Sequence, residues 1–285
     1  MPFKLALANL KGGVGKSTST VFIAEALACQ AGLRVLIVDL DPQANASYML
    51  LSREGVETAE ASGKTLPHLL LDIASRRQVQ AASYIWPLAS DIIELQDGKA
   101  GRVDILASIP RMWFVEMAEE RRYYLANLDP ARELHKILIN RLAPLEGWYD
   151  LIIFDCPPGF SSLTRAGLLS ADAIISPTIA DAVSIRSLAD FVEIGLRDIL
   201  RMTGPIRHHV IISKFRSQSN DGIEADRLKM RHDVLEPYIR YTVDMTRATE
   251  RLNLASRRNF RKKYEGLTAD IVALSDKIYR KIIRG

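Results

Sequence analysis

Seven short runs rich in apolar and β-branched residues recur along this chain of 285 residues: Phe3–Asn9, Arg34–Asp39, Val103–Ala107, Asp150–Asp155, Ala173–Ser176, His209–Ser213 and Tyr238–Val243. Several are continuously apolar. A strand with one wet face would instead carry a polar residue at every second position, so these runs read as strands covered on both faces. Helix-like stretches lie between them, among them Ser17–Ala31, Arg132–Leu142 and Ser187–Met202. Strand and helix in alternation predict an α/β fold, a mostly parallel twisted sheet with helices on both faces. Ligands of such sheets bind at the carboxyl ends of the strands. With 48% hydrophobic residues the chain can fill the core this requires.

No composition shift or linker divides the chain, so a single domain over residues 1–285 is expected. Two regions interrupt the rhythm. One is an irregular insert near 53–101, with a helix candidate at Leu66–Ser75 and loops around Gly63 and Gly98. The other is a basic C-terminal helical region over 246–285. Trp86 and Trp113, in or near the insert, read as buried aromatics. Cys29 and Cys156 stand in no metal-ligand spacing and read as buried thiols, which suits a reducing cytoplasm. No run approaches the roughly 18 apolar residues of a membrane span, and no signal-peptide pattern precedes the first strand.

The first strand runs straight into Lys11-Gly12-Gly13-Val14-Gly15-Lys16-Ser17-Thr18, and a helix comes next. A glycine loop between strand and helix lets backbone N–H groups point at phosphates, and the helix N-terminus adds its positive end. Lys16 would reach the β- and γ-phosphates, and the Ser17 hydroxyl would ligand Mg²⁺. The usual P-loop pattern wants a glycine five residues before Gly15; Leu10 stands there, and Lys11 opens the loop instead. Two further stretches end predicted strands in carboxylates: Asp39 and Asp41 in Val38-Asp39-Leu40-Asp41-Pro42-Gln43, and Asp155 in Phe154-Asp155-Cys156-Pro157-Pro158. A strand-tip aspartate beside a P-loop holds Mg²⁺ directly or through water, and a second carboxylate positions the attacking water.

These three stretches, in this order and spacing, resemble the ParA/MinD family of deviant Walker-A ATPases, most closely its ParA/Soj-type partition members. The likeness is dense over 3–50 and 148–190. It implies a P-loop NTPase-like fold with ATP and Mg²⁺ as cofactors. It also implies that Lys11 is a signature lysine reaching the nucleotide of a second subunit, while Lys16 serves its own. Gly12, Gly13, Val14 and Gly15 then cradle phosphate and Thr18 contacts the α-phosphate. Ser17, Asp39 and Asp155 belong to the metal, and Asp41 orients the hydrolytic water. The family usually has glutamine at position 10 and threonine at position 17; Ser17 keeps the hydroxyl. The adenine-contacting segment aligns poorly and is placed at Ser213–Asp221. The resemblance further implies an ATP sandwich homodimer with slow hydrolysis, stimulated by a ParB-like adaptor through a basic N-terminal peptide. No side chain in these motifs is a strong base or covalent nucleophile, so positioning and charge stabilisation would carry the reaction.

Between Arg247 and Lys263 stand Arg247, Arg251, Arg257, Arg258, Arg261, Lys262 and Lys263 against a single acid, Glu250, while the whole chain carries only +4. Such a run can neutralise phosphates without reading bases. ParA-type proteins similarly bind nonspecific DNA near this end, which implies a cytoplasmic, nucleoid-associated protein. The final stretch places Leu267, Ile271, Leu274, Ile278 and Ile282 at helical spacing. A MinD-like protein would use such a helix on a membrane. Asp270 and Asp276 favour instead a helix packed on the domain, so a membrane partner is not expected.

The other readings are a MinD-like membrane-associated regulator, an orphan ParA-like ATPase positioning a protein cargo, and a binding module with ATP as a structural ligand. A nitrogenase-reductase-like protein would need cluster cysteines, and a capsule-type tyrosine kinase a tyrosine-rich tail. With so few residues ahead of the loop, the helix-turn-helix domain of longer ParA proteins is not expected.

Overall fold

A computed structural model of the chain describes residues 1–95, 101–217 and 220–285. Seven strands form one sheet: β1 (Phe3–Leu7), β2 (Arg34–Asp39), β3 (Arg102–Leu106), β4 (Leu151–Asp155), β5 (Ala173–Thr178), β6 (Arg207–Ile212) and β7 (Val234–Leu235). Their order is β3-β2-β4-β1-β5-β6-β7, and every pairing is parallel. The helices are α1 (Lys16–Ala31), α2 (Asn45–Ala61), α3 (Leu66–Ala74), α4 (Met112–Leu125), α5 (Pro130–Leu142), α6 (Ser162–Ser170), α7 (Ala182–Asp190), α8 (Arg197–Thr203), α9 (Asp221–Lys229), α10 (Val243–Thr249), α11 (Phe260–Tyr264) and α12 (Thr268–Ile278). A π turn at Phe191–Leu196 makes α7 and α8 one continuous rod.

Residues of β1, β2 and β4 alternate between two apolar layers. Leu5, Leu7, Val35 and Ile37 face α1 and the C-terminal helices, whereas Ala6, Leu36, Val38 and Phe154 face α3 to α6. This two-sided burial is why the runs lack polar alternation. Six of the seven predicted strands stand within two residues of their observed ends. The last does not. Tyr238–Val243 is no strand, and β7 lies four residues earlier, because Pro237 offers no N–H to continue the ladder. The displaced segment instead crosses the strand ends, where Ile239 N–H donates to Ile212 O (2.9 Å) and Tyr241 N–H to Phe215 O (2.9 Å).

The insert is more regular than the sequence suggested. Helix α2 runs through Arg53 to Ala61, broken at Ser52, whose φ is +63°, and α3 comes after it. Trp86 and Ala89 then donate backbone N–H groups to Ile105 O (2.8 Å) and Val103 O (2.7 Å). The insert therefore covers the outer edge of β3, which would otherwise offer an open ladder. The predicted loop around Gly98 lies outside the described residues. Trp113 is a correction: it is 52% exposed on α4, a helix whose mixed sequence gave no clear period.

At the C-terminal end Leu267, Ile271, Leu274, Ile278 and Ile282 are fully buried, with α12 packed on α1. The apolar stripe is thus part of the core. So is part of the basic run. Lys263 Nζ sits between Glu25 Oε1 of α1 (2.7 Å) and Asp91 Oδ1 of the insert (2.7 Å), all three side chains at most 1% exposed. Arg258 Nε adds a second cation on Asp91 Oδ2 (2.7 Å). We predict that Lys263→Met, which strips the buried Glu25 of its cation and leaves Asp91 with Arg258 alone, destabilises the protein by about 3–5 kcal/mol. Lys262→Met on the exposed neighbour should stay within about 0.5 kcal/mol. Urea unfolding of the two variants would show the contrast; equal midpoints would contradict it.

Candidate functional site

The loop between β1 and α1 turns twice through left-handed backbone, at Gly13 (φ +74°) and Gly15 (φ +83°), where a side chain would be strained. Gly15 is the N-cap of α1 and supplies no side chain, so the first N–H groups of the helix are left without protein acceptors from a cap. The loop's carbonyls are tied down from below and beside. Lys16 Nζ donates to Lys11 O (3.1 Å), Lys214 Nζ to Gly13 O (2.7 Å), and Ser213 Oγ to Val14 O (2.8 Å). With carbonyls engaged, what the loop offers outward is N–H. A cavity of about 570 Å³ opens above it, lined by Gly12, Gly13, Lys16, Ser17, Thr18 and Asp41 on one side and by Tyr48, Lys214 and Thr249 on the other. This is an anion site by construction.

Three carboxylates gather at the adjoining strand tips, and of these Asp41 lines the cavity. Asp155 ends β4, fully buried. Its Oδ1 accepts from Thr20 Oγ1 (2.9 Å), while its Oδ2 has no hydrogen-bond partner, and Ser17 lies beside it. Burial, with the charge of Asp41 added, pushes its carboxyl up to about 7 in the ligand-free protein. Asp41 is also buried, and this raises its carboxyl while the Lys16 ammonium opposes the shift; its Oδ1 accepts from Gln43 N–H (2.8 Å). Burial lowers Lys16 in turn, with Asp155 and Asp41 pulling the other way. An orphaned carboxylate oxygen, a serine hydroxyl and a second carboxylate are the hard oxygen donors that Mg²⁺ takes, so the residues present fit that ion.

Asp39, expected with the metal, is differently employed. Its Oδ2 accepts from Ser47 N–H (3.0 Å) and Ser47 Oγ (2.7 Å), and its Oδ1 from Asp41 N–H (3.1 Å). Both oxygens are thus committed to protein donors, and Asp39 is the post that ties the Asp41 loop to the first turn of α2. Burial and the neighbouring Asp155 hold its carboxyl well above the usual range.

Lys11 does not line the cavity. Its ammonium donates to Ser184 Oγ (2.7 Å) and lies 3.6 Å from Asp181 Oδ1, at the N-terminus of α7. Loop and lysine therefore part company: Lys16 points in, Lys11 along the outer face. Of Ser213–Asp221, Ser213 and Lys214 meet the P-loop, and Gln218 and Ser219 lie outside the described residues. A narrow cleft of about 60 Å³ continues from the cavity between Phe22, Lys214, Tyr241 and Met245. Tyr48, Tyr241 and Thr249 went unforeseen because no spacing connects them with the loop: Tyr48 comes with the start of α2, and Tyr241 and Thr249 come with the crossing 238–243 segment and the helix after it.

The seven basic residues divide. Arg251 is buried, and its guanidinium donates to the carbonyls of Leu50, Ala89 (2.5 Å), Asn253 (3.1 Å) and Leu254 (2.8 Å). Arg258 caps the carbonyls of Arg247, Ala248 and Glu250 besides pairing with Asp91. With Lys263 in its buried cluster, these three hold the fold together and do not form an open DNA surface, which corrects the expectation. Arg247, Arg257, Arg261 and Lys262 remain exposed on this face.

A parallel sheet whose first strand passes through a glycine loop into a helix, with a buried lysine and carboxylates at the adjoining strand tips, defines a P-loop nucleoside-triphosphate-binding protein. Residues 4–200 match a family profile described as an AAA domain. The chain is 30% identical to the chromosome partitioning protein ParA of Myxococcus xanthus (strain DK1622) over 222 residues, 76% of this chain and 66% of that one. It is 31% identical to the sporulation initiation inhibitor protein Soj of Bacillus subtilis (strain 168) over 185 residues, 65% and 61% of the two chains. These matches span less than two thirds of the relatives' own length. Among solved structures, a point variant of McdA of Cyanothece in complex with ATP superposes with a TM-score of 0.71, covering 98% of this chain and 95% of that one; at 22% identity the likeness is one of fold. The chain belongs to the ParA/MinD family, on its ParA/Soj side.

The raised Asp155 carboxyl fixes a sign. A carboxyl that is buried and hard to ionise keeps its proton in the folded state to about pH 7. Unfolded, it would lose that proton near pH 4. Across that window the folded state binds more protons, so its stability falls as pH rises. Without nucleotide or magnesium, Asp155→Asn should therefore melt higher than the parent protein at pH 8, with the gain shrinking as pH falls and vanishing only near pH 4. Thermal melts at the two pH values check this.

Proposed function

We propose that the chain is an ATP-dependent DNA-partition ATPase that works as a nucleotide-bridged homodimer. The observation that carries this reading is the division between the two lysines of one loop. Lys16 is inside, where a single chain already needs it to hold phosphate. Lys11 is outside, on Ser184 and Asp181, where it serves no ligand of its own subunit. A lysine released from α7 toward a facing copy would complete that copy's site, so hydrolysis requires two chains.

In this reading the phosphates lie against the N–H groups of Gly12 to Thr18, with Lys16 on the β- and γ-phosphates. Ser17 and Asp155 would hold Mg²⁺, which would supply neutralisation of the phosphate charge. Asp41 orients the attacking water, and Asp39, itself held by Ser47, keeps Asp41 in place by accepting its N–H. The adenine enters the cleft beside Phe22 and Tyr241, and Thr18 takes the α-phosphate. With no strong base at the rim, turnover rests on positioning and charge, and is slow until a ParB-like adaptor improves either. The dimer presents Arg247, Arg257, Arg261 and Lys262 to DNA without sequence preference, which would place the protein on the nucleoid. The adaptor decides the cargo. It is a DNA locus or, as the name of the relative called maintenance of carboxysome distribution protein A suggests, a protein assembly.

The test is pelleting with random-sequence DNA in ATP, ADP and a slowly hydrolysed analogue. Pelleting should need ATP or the analogue and be absent in Lys16→Ala. Neutralising Arg247, Arg257, Arg261 and Lys262 together should abolish it while nucleotide binding persists. Lys11→Ala should bind ATP yet lose hydrolysis by about a hundredfold, the range for removing one transition-state charge contact. Full hydrolysis in Lys11→Ala would end the two-chain reading. DNA binding that survives the quadruple neutralisation would move the DNA surface elsewhere.

A further inference from the structure

Helix α4 and the turn after it carry a cluster of exposed apolar side chains. Trp113, Phe114, Met117, Tyr124, Leu125 and Leu128 are all exposed, Phe114 at 73% and Leu125 at 77%. They fall at helical spacing, so they lie along one side of the helix and its C-terminal corner. Contiguous apolar surface of this kind marks an interaction site.

The charges tell what fits it. All three acids of α4 are turned away and engaged. Glu116 accepts from Leu163 N–H (3.1 Å), Glu120 from Ser162 Oγ (2.5 Å), and Glu119 pairs with Arg122 (2.5 Å). Arg111 and Arg121 are exposed and form no ion pair among the described residues. Arg121 stands midway along the stripe, between Met117 and Tyr124. The face is therefore apolar at both ends and cationic in its middle.

We propose that this face docks an amphipathic helix of a partner protein whose apolar stripe carries an acidic residue at its centre. A second copy of this chain fits badly, because two such faces meeting on a twofold axis would set Arg121 against its own counterpart. A membrane fits badly as well, because it takes cations at the rim of an apolar stripe, not in its middle. A basic peptide, the chemistry expected of a ParB-like adaptor, would meet like charge. The partner is thus distinct from that adaptor. Helix α4 spans about 21 Å, so three to four turns of partner helix cover it. Through Glu116 and Glu120 the face is joined to the first turn of α6, directly after the loop that sets Pro158 beside Gly12.

The experiment uses the full chain and two labelled helical peptides of about four turns with a leucine stripe, one with a central glutamate and its twin with a central lysine. By fluorescence anisotropy the glutamate peptide should bind at least about fivefold tighter. Arg121→Glu should invert the preference. Trp113→Ala with Met117→Ala should weaken both peptides about tenfold, with circular dichroism confirming the fold. Equal binding of the twins, or no inversion by Arg121→Glu, overturns the proposal. So does pelleting on phosphatidylglycerol vesicles that Arg121→Glu removes, which would assign the face to membrane. A concentration-dependent dimer lost in Trp113→Ala would assign it to a second copy and overturn it equally.

Discussion

The parallel register of β1, β2 and β4 is the constraint on which the site rests. Leu7, Asp155 and Asp39 are paired neighbours in three adjacent strands, so the loop after Leu7 leaves the sheet at the level of both carboxylates. Backbone bonds lock this rim: Cys156 N–H donates to Leu7 O (3.1 Å) and Leu40 N–H to Asp155 O (3.0 Å). A slip of one residue in either pairing would carry Asp155 to the opposite face of the sheet and leave the loop without its carboxylate. The burial that raises Asp155 and lowers Lys16 is a consequence of that register. So is the proximity that lets each offset the other.

The glycine loop, its two lysines and the three aspartates were legible because their chemistry is local. Each motif is a strand tip with its turn, and a strand tip is short enough to recognise in a line of residues. The order of β1, β2, β4 and β5 was legible only as a class, since alternation says that a sheet is parallel and not which strands touch. Tyr238–Val243 misled because β-branched and aromatic residues suit any extended segment, and hydrogen bonds to Ile212 and Phe215 decided its place. Trp113 misled in the opposite way. A large aromatic is usually buried, but α4 spends its inward face on Val115, Glu116, Glu119 and Tyr123 and leaves Trp113 outside.

The basic run shows why a count of charges is a poor map of a surface. Arg251, Arg258 and Lys263 differ from Arg257, Arg261 and Lys262 in nothing that the sequence displays. What separates them is distant. Lys263 finds Glu25 on α1 and Asp91 in the insert, 238 and 172 residues away. Arg251 finds carbonyls of Leu50 and Ala89. Buried cations need such partners, because an unpaired one would neutralise itself or unfold its surroundings. Glu25 and Asp91, read alone, gave no hint that they wait for a lysine near the other end of the chain.

These anchors also join the basic face to the nucleotide cavity by short covalent paths. Tyr48 and Met49 line the cavity, and the next residue, Leu50, offers its carbonyl to Arg251. Thr249 lines the cavity from the other side, two residues before Arg251, and Arg258 holds the carbonyls of Arg247, Ala248 and Glu250 around it. The segment bearing Arg247 and Arg257 thus hangs from α2 and α10, the two helices that flank the cavity. Asp39 fixes the start of α2 through Ser47, and Asp41 hangs from the same post. Anything that spreads or draws together Tyr48 and Thr249 acts on both supports of the exposed cations at once. In a close-packed interior such supports shift as rigid pieces rather than yield gradually. A ligand that fills the cavity and one that leaves it partly empty would therefore present two arrangements of the same charges.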